Sequence, residues 1–473
     1  MTERVWPVRA LLFVPLVVYL LLPTRNFYWD GIGIAGDIEK HAGPSSMLYP
    51  SHLLFALGGS WLYAGALALG VRTRALFLMQ AASAIFAGLC VPLFYRVLRG
   101  AGADASSSLA GAMIFAFSAT WWKFATDANA YVPSIFFLLC AYLLIERGRT
   151  IPAALAHAAA MLFHELAILF LPVAWILLRG RRRIEYSACA LAPVIVAYAI
   201  AARELFGTVS ARRMISWSAV HSPDSHFFLN PLRDAAFTLR GTLRLFFGGR
   251  LANLPHDLVG GLALAGFALS AAFFLATIAR ARPEKALKPP RAILVWLGCY
   301  AAFLFLWMPQ NTFYRLFYLP PLIALGVLVW RAPHNRALLR LVPVLLLWNF
   351  AFLIYPDSQA SHNPDLRFAL AQRDRWPPGT PIVFHDFHPD LWTISYFTPG
   401  TSWFGLDHAN VSALNHELDY AHSQQQPLWL EADAYNMIAA SPAGRNWLRE
   451  HERPAEKIEF KDEKHDFLFY CAR

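Results

Sequence analysis

Residues 10–54 read ALLFVPLVVYLLLPTRNFYWDGIGIAGDIEKHAGPSSMLYPSHLL. The segment 10–22 is almost wholly apolar and follows Arg4 and Arg9, with no small-x-small cleavage site after it; it is read as an uncleaved signal anchor. Directly behind it, three acids (Asp30, Asp37, Glu39) and two histidines (His41, His52) crowd one short loop. Charges beside hydrocarbon are costly unless they meet water, partners or a bound molecule. An anchor followed by such a loop predicts a chain that lives in the bilayer and gathers polar chemistry at its surface.

Composition agrees. The 473 residues are 57% hydrophobic and 15% charged, against about 45–50% apolar and about 25% charged in soluble domains. The 16 Trp and 36 Phe suit lipid-facing and interfacial positions. A formal charge of +10 invites nucleic acid as a partner. The basic residues instead fall in short loops between apolar runs, and no basic patch interleaved with aromatics sits on a soluble module, so nucleic-acid binding is excluded. The five cysteines have no metal-ligand spacing, and four lie inside apolar runs as small fillers.

Apolar runs of spanning or near-spanning length fall at about 8–23, 75–95, 105–122, 131–146, 151–164, 166–179, 185–202, 257–279, 292–308, 316–330 and 341–356. A further run, 52–71, carries Gly58 and Gly59 and is read as a helix lying on the surface. With the N-terminus in the cytoplasm, every inside loop is then basic: Arg96 and Arg99, Arg147 and Arg149, Arg179–Arg183, the 280–291 loop, and Arg331, Arg336 and Arg340. The expectation is a mainly α, polytopic bundle of about eleven spans over 1–356, with a first outside loop at 24–74. The long outside loop 203–256 includes 234–247, read as a second surface-lying amphipathic helix.

From residue 357 the character changes. Strand-like runs at 380–384 and 428–431, a helix over 434–450, and a hairpin of 458–460 with 467–470 around KDEKHD predict a small α/β domain over 357–473, outside the membrane like the C-terminus.

Several residues suit chemistry. Asp30 follows an aromatic pair and precedes Gly31 and Gly33, which let backbone approach closely. A carboxylate there could take a proton from a hydroxyl, or could cap a helix or turn. Asp37 lies seven residues on and shares its face if the segment is helical. Asp37 and Glu39 could bind an acceptor, hold a metal, or form a solvated acidic face. His52 could hydrogen-bond a phosphate or a sugar. The string WWKFATDANAYVPS offers Lys123, Asp127, Asn129 and Tyr131 where the third and fourth spans turn outside. His164 and Glu165, between the fifth and sixth spans, are read as the wall of a cavity or as a self-satisfied pair. Arg315, at the start of the tenth span, could hold a phosphate bidentately, or lipid head groups. Arg212, Arg213, Arg233, Arg240 and Arg244 could serve similarly.

Taken together, YWDGIGIAGDIE, LYPSHLLF, WWKFATDANAY and RLFYLPP resemble elements of the C-type superfamily of integral-membrane glycosyltransferases, nearest its protein O-mannosyltransferase-like branch. The resemblance covers about 1–355, and Asn129 stands where that branch carries an acid. It implies transfer of a sugar from a polyprenyl-phosphate donor, with inversion, to a hydroxyl of a glycan, lipid or protein. Asp30 would be the base, Arg315 and His52 would steady the leaving phosphate, and Glu39 would help electrostatically. Some relatives use a divalent metal, which Asp30, Asp37 and Glu39 could ligate; no spacing demands one. The implied location is a bacterial inner membrane, serving the cell envelope. Two rivals share the composition: a transporter or flippase of a lipid-linked or small polar substrate, and a polysaccharide polymerase or ligase. The concentration of polar residues on one face, without visible repeats, favours an enzyme over a transporter.

Overall fold

A computed structural model describes residues 5–40, 43–218, 230–253, 256–280, 287–330, 336–373, 376–385, 389–406, 408–461 and 466–473. His41, Arg331 and the centre of the KDEKHD turn lie outside the described residues. The chain divides into two compact units, one of residues 1–24 with 37–358 and the other of residues 25–36 with 359–473.

The first unit is a helix bundle. Its helices are α1 (Val5–Leu21), the end of α2 (Trp29–Glu39), α3 (Leu53–Ala68), α4 (Ala75–Gly100), α5 (Ala105–Phe117), α6 (Ala119–Ala125), α7 (Tyr131–Glu146), α8 (Thr150–Phe163), α9 (Leu171–Leu177), α10 (Arg181–Phe206), α11 (Ala211–Ser218), α12 (Pro231–Phe246), α13 (Leu258–Arg280), α14 (Arg291–Leu306), α15 (Leu319–Val329), α16 (Arg336–Asn349) and α17 (Tyr355–Ser358). Among the described residues four helices are long and apolar enough to cross a membrane: α4, α10, most of α13, and the run Ala337–Ser358. Eight shorter apolar helices accompany them. The chain is therefore a mainly α, integral-membrane bundle.

Breaks explain the short helices. Ser118, in extended conformation, separates α5 from α6. His164, also extended, ends α8, and the 3₁₀ turn Glu165–Phe170 follows. In a straight helix His157 and Phe170 would stand about 20 Å apart; their rings are 5.5 Å apart, and His157 Nε2 lies 2.8 Å from the Ala167 carbonyl. The chain thus reverses at His164, as the paired runs 151–164 and 166–179 predicted. By contrast, Gly58 and Gly59 do not interrupt α3, and Gly59 packs against Ile38 and Met79.

One polar side chain knits the bundle from inside. Asn349, fully buried, donates to the carbonyls of Phe117 (2.8 Å) and Phe246 (2.7 Å) and accepts from Gly248 N–H (3.0 Å). It satisfies backbone groups left over where α5 and α12 end. A π-helical turn, Phe350–Ile354, follows it.

The second unit is α/β. Its five-stranded sheet has the order β2-β1-β3-β5-β4, with β1 (Pro381–His385), β2 (Ser402–Leu406), β3 (Leu428–Glu431), β4 (Glu452–Lys461) and β5 (Asp466–Ala472). Strands β2, β1 and β3 are parallel, while β5 runs antiparallel to β3 and β4. The helices α18 (Pro364–Gln372), α19 (Pro389–Phe397), α20 (Val411–Ser423), α21 (Ala432–Ala440) and α22 (Pro442–His451) supply the rest. One core holds Leu414, Leu418, Ile438 and Trp447 over Leu428 and Leu430; another holds Phe368, Trp376 and Ile394 against Ile382 and Phe469. The single helix expected over 434–450 is two, because Ser441 and Pro442 end one and start the next, Ser441 Oγ capping Gly444 N–H at 2.9 Å. Strand β2 had no counterpart in the sequence reading.

Candidate active site

The acidic stretch is helical. Helix α2 carries Asp30 in its first turn and reaches Glu39, and the boundary between the units falls within it, after Gly36. The part bearing Asp30 belongs to the α/β unit. There Phe27 stacks on Phe397 (5.5 Å), and Asn363 Nδ2 donates to the Arg25 carbonyl (2.8 Å). Positions 33 and 36 lie one turn apart and face aromatics of α19: a Cβ at Gly33 would stand 3.8 Å from Trp392, and one at Gly36 3.7 Å from Tyr396. Close backbone approach, expected at Gly33 for a substrate, is used here for helix packing.

Asp37 and Glu39 have specific partners in the bundle. Tyr49 Oη donates to Asp37 at 2.6 Å. Glu39 takes Arg74 Nε on one oxygen and Ala75 N–H on the other, both at 2.7 Å. It therefore neutralises Arg74 and occupies the N-terminus of α4, where orphan amides and the helix dipole favour a carboxylate. Among the described residues no three His, Cys, Asp or Glu side chains converge to hold a metal.

The residues from separate loops meet in an aromatic cluster. His52 and His164 have ring centroids 4.9 Å apart, Tyr131 and His164 4.7 Å, and His52 and Tyr131 6.2 Å. Tyr314 and Phe317 close over His164 at 5.7 and 5.2 Å, and Trp307 stacks on Tyr314 at 5.2 Å. His52, Tyr131 and His164 are buried. Nearby, Tyr198 Oη donates to the Pro50 carbonyl and lies within electrostatic reach of Glu165, tying the loop before His52 to α10.

The turn between α6 and α7 is held by its own side chains. Asp127, buried, accepts from Ala128 N–H at 2.8 Å. Asn129 Nδ2 donates to the carbonyls of Phe124 (2.6 Å) and Asp127 (2.9 Å), and its Oδ1 accepts from Val132 N–H (3.0 Å). An acid at 129 could accept but not donate, so the amide is what this turn requires. Lys123 pairs with Asp357 at 3.9 Å.

Arg315 is 1% exposed. It sits in the 3₁₀ turn Phe313–Tyr318, where residues three apart eclipse. Tyr314 and Phe317 form the ridge against His164; Arg315 and Tyr318 form the next ridge, against α12. The guanidinium donates to Tyr318 Oη (2.6 Å) and to the Pro309 carbonyl. Its Nε has no acceptor, and no carboxylate pairs with it, among the described residues. Gly241 of α12 passes so close that a Cβ there would strike the guanidinium, and Thr242 Oγ1 lies 3.2 Å from Tyr318 Oη. The sequence gave no weight to Tyr314, Phe317 or Gly241. The i, i+3 aromatic spacing in FYRLFY was the available signal for the first two.

No family model and no curated protein matches the sequence. Solved structures do match. ArnT from Cupriavidus metallidurans bound to undecaprenyl phosphate superposes with a TM-score of 0.59 at 11% identity, covering 98% of this chain and 97% of that one. The apo form of ArnT gives 0.49 at 13% identity over 98% and 97% of the two chains. The Archaeoglobus fulgidus oligosaccharyltransferase tethered to an acceptor peptide gives 0.47 at 11% identity, over 99% and 74%. The fold is that of the C-type integral-membrane glycosyltransferases.

Proposed function

We propose that the chain is a membrane glycosyltransferase that moves a sugar from a polyprenyl-phosphate donor to an acceptor hydroxyl at the extracytoplasmic face of a bacterial inner membrane. The observation that carries this reading is Arg315: a buried guanidinium with no acid among the described residues and only two acceptors for five donors. A buried charge without a counter-ion costs several kcal/mol, and a phosphate ester would supply the missing charge with matched geometry. The similarity of the fold to ArnT, solved with undecaprenyl phosphate, supports a lipid-linked donor.

In the proposed reaction the acceptor oxygen attacks the anomeric carbon from the face opposite the phosphate. The carbon–oxygen bond to phosphate breaks, and polyprenyl phosphate leaves with the bonding pair. Asp30 takes the hydroxyl proton. Arg315 holds the phosphate as charge builds on its oxygen. His52, His164 and Tyr131 wall the pocket, while Glu39 and Asp37 fix α2 through Arg74 and Tyr49. Any divalent metal would have to be held by fewer than three of the described acids and histidines. The test is release of polyprenyl phosphate from a panel of polyprenyl-phosphate sugars by purified protein. Wild type should turn over at least one donor and Asp30→Asn should fall about 10²–10⁴-fold; equal turnover by both removes Asp30 from the role.

A further inference from the structure

Helix α12 carries three stripes with spacings of seven and four. Residues so spaced lie within about 20° of one another around a helix. Asp234, Gly241 and Leu245 are buried. Leu232, Leu239 and Leu243 are exposed, at 86%, 63% and 58%. Arg233, Arg240 and Arg244 form the third stripe and are exposed as well. The one acid on the helix, Asp234, is spent on Arg233 (3.3 Å) and on Asn230 N–H (2.8 Å). Arg240 and Arg244 thus have no carboxylate partner among the described residues, and Arg250 follows just beyond the helix. Partial burial, and then the charges of Arg240 and Arg250, push the Arg244 pKa down, as expected of cations crowded without a counter-ion.

We propose that the outer side of α12 is a docking surface for anionic phospholipid: the leucine stripe enters the acyl region while Arg240, Arg244 and Arg250 engage head-group phosphates. Charge complementarity selects this occupant. A neutral bilayer would take the leucines and leave three crowded cations unmatched, whereas an acidic leaflet satisfies both stripes. A free phosphate would satisfy the cations and leave the leucines in water. Because the third stripe of the helix lies on Arg315, lipid binding would also hold Gly241 in place against the guanidinium. The inference does not depend on the transfer reaction.

The experiment uses the full chain in nanodiscs of phosphatidylcholine, with or without 30% phosphatidylglycerol, following hydrogen exchange across 231–246. Basic residues near an acidic surface each strengthen attachment roughly fivefold. Phosphatidylglycerol should therefore slow exchange at least tenfold in wild type and by less than twofold in Arg240→Gln/Arg244→Gln. Exchange of α4 serves as the folding control, and the single variant Arg244→Gln, expected between the two, replaces the pair if that control fails. Equal exchange in both lipid mixtures, or equal protection of variant and wild type, overturns the proposal. So does protection by millimolar inorganic phosphate in neutral discs, which would mark a small-anion site.

Discussion

Replacing Arg315 with methionine separates a binding role from a structural one. Two charge-assisted hydrogen bonds would be lost, to Tyr318 Oη and the Pro309 carbonyl. At about 1.5–3 kcal/mol each they total roughly 3–6 kcal/mol. Against this, the change removes a buried cation without a counter-ion, whose desolvation costs several kcal/mol, and methionine keeps most of the apolar stem. The two nearly cancel, so the unliganded variant should melt within about 5 °C of wild type. Ligand response should differ sharply. Polyprenyl phosphate at a hundred times its Kd stabilises wild type by about 2.7 kcal/mol, whereas losing a buried charged contact costs about 2–5 kcal/mol of affinity and should abolish the shift. Thermal melts in detergent, with and without polyprenyl phosphate, give both numbers. An undiminished ligand shift in Arg315→Met would refute the phosphate assignment; collapse of the unliganded variant would show that the guanidinium holds the fold.

Other outcomes follow from the same reasoning. Asn129→Asp should cost about 2–4 kcal/mol, because two carbonyls lose their donor and face a negative charge; a melting temperature equal to wild type would contradict this. Gly33→Ala should be tolerated, its Cβ standing 3.8 Å from Trp392, while Gly33→Leu should overpack and cost about 1–3 kcal/mol with loss of transfer activity. Burial, with the charge of Asp433 second, raises the Glu431 pKa to about 7. The folded state then holds a proton that the unfolded chain has already released, so stability of the α/β unit should fall as pH rises from about 4.5 through about 7. Glu431→Gln should flatten that slope, as seen by the pH dependence of exchange in β3; an unchanged slope would assign it to another group.

Much of this architecture was legible in local pattern. Long apolar runs with few charges mark membrane helices because an unpaired backbone in hydrocarbon leaves few alternatives, and α4, α10 and α13 lie close to the expected segments. The reversal at His164 was legible too, since two runs too short to be one straight helix flank a histidine and an acid. Strands β1, β3, β4 and β5 announced themselves by β-rich runs, while β2, SWFGL, lacks clear alternation and was missed.

Sequence by itself determined that the chain is a helical membrane protein with a small α/β unit, and which polar residues sit between its apolar runs. Only the tertiary structure decided what those residues do to one another. Asp30 and Asp37 look like one motif, yet residues 25–36 pack with the α/β unit because Gly33 and Gly36 present bare backbone to Trp392 and Tyr396, more than 350 positions away. Glu39 reads like a catalytic acid, yet both its oxygens are taken by Arg74 and Ala75. Composition and periodicity are sums over neighbours in the chain. The partner that satisfies a given carboxylate, amide or guanidinium is chosen by packing between distant segments, and no local pattern encodes it.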